Sequence, residues 1–179
     1  MLKRLPNLQA ILQVYAVIAV MLSGWTITAF LWKLSAWLLL LNLGEIVTVF
    51  SYAMAANLLE TLLILLVLLA LCILLPSRVL RDDFVVRGTI LSIGLIGAFM
   101  AFVGLGMQSD LEPGATILLG PIVILLLTGF ALWFASRSRS LPSVRSAVLW
   151  ISDRMMVFLF ILIPLFVILT AYVLFRNIT

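Results

Sequence analysis

Glu45 and Glu60 are the two acidic residues set in long apolar surroundings. An ionisable side chain at membrane depth serves by default as a proton relay, a cation site or a counter-ion. Each closes an Asn-x-x-Glu quartet, Asn42-Leu43-Gly44-Glu45 and Asn57-Leu58-Leu59-Glu60. That spacing is also a variant capping box, in which the Asn side chain accepts from an early helical N–H and the Glu reaches back. Capping therefore competes with chemistry at both positions, because an anion in a first turn also meets the positive end of the helix dipole. On a helix, Glu45, Thr48 and Tyr52 fall on one narrow polar stripe, with Ser51 at its edge. Glu45, Thr48, Tyr52, Asn57 and Glu60 are accordingly the candidate polar, proton or ion site.

Most other chemistries are closed to this chain. It has no histidine and one cysteine, Cys72. It cannot supply a His-ligated haem, the common zinc sets, a Cys-x-x-Cys redox pair or a Ser-His-Asp triad. Cys72 lies in the apolar run 62–75, where a thiol is a small hydrophobe. Asp82 and Asp83 are adjacent, but a magnesium site needs further acidic or phosphate ligands that their loop lacks. The sequence therefore predicts no catalytic residue, no metal and no cofactor. A lipid-modifying enzyme built on Asp82, Asp83, Asp153 and scattered arginines is the weakest of three functional classes.

The elements that must position these residues follow from composition. Of 179 residues, 65% are hydrophobic and 10% charged. Soluble domains are nearer half apolar and a quarter charged, so the chain reads as an integral membrane protein. One all-α domain, 1–179, is expected: a polytopic helical bundle with spans near 8–41, 58–75, 88–107, 115–135 and 155–175. The stretch 8–75 has no proline and is too long for two simple spans. The two quartets divide it, placing a short interfacial or re-entrant helix at 43–56 between a long first span and the second. Six spans are the alternative, but they would bury Glu45 near mid-membrane at about 2.5–3.5 kcal/mol.

The net charge of +4 does not point to nucleic acid, because the basic residues lie mostly in short stretches between apolar runs. They read as topology signals. With five spans and a cytoplasmic N-terminus, nine of the eleven are inside and only Lys33 and Arg176 outside. Six spans give eight against three, which barely separates the two; the burial of Glu45 and a connection at 53–57 without Gly or Pro favour the five-span arrangement in a cell membrane, with the C-terminus outside. Arg78, Arg81, Arg87, Arg137 and Arg139 are the expected contacts to lipid headgroups.

The third span carries Gly94, Gly97, Ala101 and Gly104 along one stripe, with Ala98 beside it. Lipid gains little from touching glycine, whereas a neighbouring helix gains close backbone contact, so this face should pack on protein. Pro164 should bend the last span by freeing the carbonyl of Phe160. A non-catalytic accessory or scaffolding subunit of a larger membrane complex is thus the leading function, packing through the glycine-rich helix. Its partners are membrane lipids and other subunits or a second copy. A small proton- or ion-coupled transporter or channel using Glu45 and Glu60 is the alternative.

Overall fold

The computed structural model describes residues 6–74, 80, 83–108, 120–123, 125–131, 133 and 142–178. Among them every regular element is helical: α1 (Leu8–Leu40), α2 (Leu43–Leu74), α3 (Phe84–Gln108), a shorter apolar α4 (Gly120–Ala131) and α5 (Pro142–Ile178). Four of these, α1, α2, α3 and α5, contain segments long and apolar enough to cross a membrane, which marks a membrane protein. Five spans plus a short helix are not what the described residues display.

The difference lies in α2. The expected short helix 43–56 and the span 58–75 are one uninterrupted helix of 32 residues, about 48 Å long. Only the first quartet starts a helix. Asn42 stands between two helices, after Leu41 has turned to an extended conformation. Asn57 instead follows Ala53-Met54-Ala55-Ala56, four good helix formers with no Gly or Pro to break the run. The last helix is also longer than its expected span: α5 starts at Pro142, in the position that proline favours in a first turn, and continues through Pro164.

α1 is the axis of the bundle. It packs on α2, α3 and α5, and α5 packs on α2 and α3, whereas α2 and α3 hardly meet. Residues 14–19 are all buried, so this stretch of α1 is enclosed on every side. One side of it, Val14, Ile18 and Leu22, packs with Leu68 and Cys72 of α2 and with Phe84, Leu91 and Ile96 of α3. The other side, Tyr15, Ala16 and Ala19, packs with Met54 of α2 and with Leu159, Leu162 and Phe166 of α5. The small Ala16 and Ala19 let helices approach where no hydrophobic force distinguishes a neighbour from lipid. Beyond Ser23, α1 is largely uncovered, and Trp32 and Leu39 are 78% and 87% exposed.

Polar residues inside the bundle are satisfied mostly within their own helices. Ser51, Thr61, Ser92 and Ser152 donate to the carbonyls of Val47, Leu58, Gly88 and Leu149 at 2.7–3.0 Å. Such back-bonding removes the cost of an unpaired hydroxyl without requiring a partner helix.

Candidate functional site

The five candidate residues on α2 divide into four separate environments. At the N-terminus of the helix the capping box is complete: Glu45 N–H donates to Asn42 Oδ1 and Asn42 N–H to Glu45 Oε2, both at 2.9 Å. Glu45 is thereby committed to the helix end, where the dipole favours its charge.

One turn on, Thr48 and Tyr52 face the C-terminal turns of α5. Thr48 Oγ1 donates to Gly44 O at 2.7 Å, lies 3.2 Å from Tyr172 Oη, and accepts from the Arg176 guanidinium. A threonine hydroxyl has one hydrogen and two lone pairs. With the hydrogen given to Gly44, Tyr172 must be the donor of its pair, and both lone pairs of Thr48 are used. Beside this node, Tyr52 Oη donates to Asn177 Oδ1 at 2.7 Å. The stripe read from Glu45, Thr48 and Tyr52 is thus a helix-to-helix joint. Its partners Tyr172, Arg176 and Asn177 share a face of α5 at i, i+4 and i+5, a spacing visible in the sequence but unused there.

Asn57 caps nothing. It is 1% exposed, and its Nδ2 donates across to Ser23 Oγ of α1 at 3.2 Å, while its Oδ1 has no partner. Glu60, three residues on, points the other way. It is exposed, near the middle of α2, and has no hydrogen bond or ion pair among the described residues. Its surroundings are apolar: a groove of about 440 Å³ lined by Leu22, Leu59, Leu63, Ile64, Leu95, Ile96 and Phe99. A second groove, about 330 Å³, shares Leu22, Glu60 and Phe99 and runs toward Trp25, Lys33 and Trp37.

A second polar level lies at the opposite end. Gln13 Nε2 donates to Asp153 Oδ1 at 2.7 Å, joining α1 to α5, and Arg145 meets Asp83 at 3.4 Å. The Arg154 guanidinium lies 5.6 Å from the Trp150 ring centroid, within cation–π range. Asp153 and Arg176 are 23 residues apart on one helix, about 35 Å, close to the thickness of a hydrocarbon core. Glu60 falls between the two levels.

Of the arginines expected at headgroups, Arg78, Arg81, Arg137 and Arg139 lie outside the described residues. Arg87 is a correction. It is 2% exposed and is the largest fully buried side chain. The helix starts at Phe84 rather than 88, which carries Arg87 into the first turn and turns it toward the bundle, where α3 lies so close to α1 that a Cβ on Gly88 would meet Val14 at 3.2 Å.

The small-residue face of α3 is only partly occupied. A Cβ at Gly94 would come within 2.7 Å of the Ala131 Cβ, so α4 uses that position. Among the described residues, Gly97 and Gly104 have nothing within 4 Å of where a Cβ would be. Ala101 lines an open apolar groove of about 450 Å³ between α3 and α4.

No protein-family model, curated protein or solved structure matches this chain.

Proposed function

We propose that the chain is a non-catalytic subunit of a larger membrane assembly, inserted with its N-terminus cytoplasmic and its C-terminus outside, and that part of the α3 small-residue face receives a neighbouring subunit. The observation that carries this is the contrast along the stripe: Gly94 is taken by Ala131, whereas Gly97 and Gly104 meet nothing among the described residues. Glycine in a helix interior costs about 1 kcal/mol relative to alanine, a cost that close helix contact offsets. The test is gentle detergent extraction of the full chain from its native membrane. The wild type should migrate well above its 19.8 kDa. Gly97→Leu, which fills only open space, should keep the fold and lose the assembly. A monodisperse wild-type monomer overturns the proposal.

A second reading is favoured by one observation. Glu45 belongs to the helix cap, but Glu60 has no structural duty in the bundle, and a carboxylate in such surroundings suits proton or ion handling. In proteoliposomes, Glu60→Gln should then abolish proton-coupled flux that Glu45→Gln leaves intact. Absence of any such flux in the wild type excludes it.

A further inference from the structure

We infer that the furrow between α2 and α3 receives one transmembrane helix of a different protein, bearing a Lys or Arg level with Glu60. The proposal rests on the subunit reading and names the partner's chemistry; it uses the side of α3 away from Gly97.

The furrow exists because α2 and α3 both pack on α1 yet scarcely touch each other. The two grooves at Glu60 continue into a third, about 200 Å³, that shares Leu63, Ile64 and Leu95. Along α2 the three run from Ala53 to Leu71, 18 residues or about 27 Å, nearly a full hydrocarbon core. Their walls are mostly apolar, with Thr26 and Lys33 toward the hairpin end, Ser92 and Thr128 of α4 toward the other, and Glu60 the one acidic group, at mid-length; Lys33 makes no ion pair with it among the described residues. An ionised carboxylate there requires a cation brought to the same depth.

The depth decides the occupant. A phospholipid offers its charge at the headgroup, and Glu60 lies 12 residues, about 18 Å, inward of Thr48 at the polar joint. A lipid tail could fill the furrow but leaves the charge unmet. Among the described residues a second copy of this chain offers no cation at that depth: Lys33 lies about 15 Å nearer the hairpin end than Glu60, Arg176 is at the joint with Thr48, and Arg87, Arg145 and Arg154 are at the opposite end. A foreign apolar helix with one basic residue at mid-span supplies both the surface and the charge. Such pairs are the usual way an ionisable residue is accommodated inside a membrane.

The test uses the full chain in phosphatidylcholine vesicles, with a photo-reactive phenylalanine replacing Leu63 in the furrow or, as control, Val157 on α5; these positions are 64% and 61% exposed. The probes are two single-span Leu/Ala peptides, identical except for a central Lys or a central Leu. At Leu63 the Lys peptide should give at least tenfold more adduct than the Leu peptide. No such preference should appear at Val157. Glu60→Gln should remove the preference, and Glu60→Asp should restore part of it. Equal labelling by both peptides, as for any apolar filler, overturns the proposal. So does a preference that survives Glu60→Gln, or an adduct formed chiefly between two copies of the chain. If Gly97→Leu dissolves the native assembly while the peptides label alike, the subunit reading stands and this one falls. A monomeric wild type in native extracts overturns the subunit reading whatever the peptides do.

Discussion

Two Asn-x-x-Glu quartets, 15 residues apart on α2, have opposite fates. At Asn42 both halves of the box close on the backbone of a helix start. At Asn57 the same letters are pulled apart: the amide enters the bundle to meet Ser23, and the carboxylate faces an apolar furrow. The cause lies outside the motif. A cap needs a chain that is not already helical, and Leu41 provides that while Ala53-Met54-Ala55-Ala56 do not. A capping box is therefore a statement about its flanks as much as about its own residues.

The comparison is most readily broken with proline. Leu43 and Leu58 each follow the Asn of a quartet, the first-turn position where proline is tolerated if that Asn is a true cap. Leu58→Pro should cost about 3 kcal/mol or more in reversible unfolding in detergent, because α2 is continuous there. Leu43→Pro should cost little. Equal tolerance at both sites would restore the break at Asn57. Next in size is Thr48→Val, which takes the acceptor from Tyr172 and Arg176 at the joint between α2 and α5 and should destabilise by about 2 kcal/mol. Asn42→Ala should lose about 1 kcal/mol through the cap, and Asn57→Ala about 0.6 kcal/mol through the interhelical bond to Ser23. The smallest change is expected at Glu60: Glu60→Gln should leave the isolated chain as stable as before or slightly more so, since nothing in the bundle uses its charge. A marked loss there would mean that Glu60 serves the fold.

Much of this was legible in the sequence. The all-α class, long apolar helices, the cap at Asn42 and the polar stripe through Thr48 and Tyr52 follow from composition, spacing and local chemistry. What could not be read were pairings across distance. Tyr172 and Arg176 meet Thr48 from more than 120 residues away, and no spacing rule links them. Arg87 looked like a loop charge because its neighbours are charged, but where α3 starts decides which way it turns. The alanines before Asn57 signal the continuity of α2, against the break that a second matching quartet implies. Which glycines of α3 are filled was settled by the placement of Ala131, which no stripe of small residues reveals.

The central claim is that Glu45 belongs to the fold and Glu60 to a partner. The most direct measurement is the native mass of the assembly extracted from membranes that carry the wild type, Glu45→Gln or Glu60→Gln. The wild type and Glu45→Gln should remain in the same large complex, because Gln can still close a capping box, while Glu60→Gln should stay folded and migrate at a lower mass, without the partner helix of the furrow. A Glu60→Gln chain that stays in the complex as firmly as the other two would contradict the account.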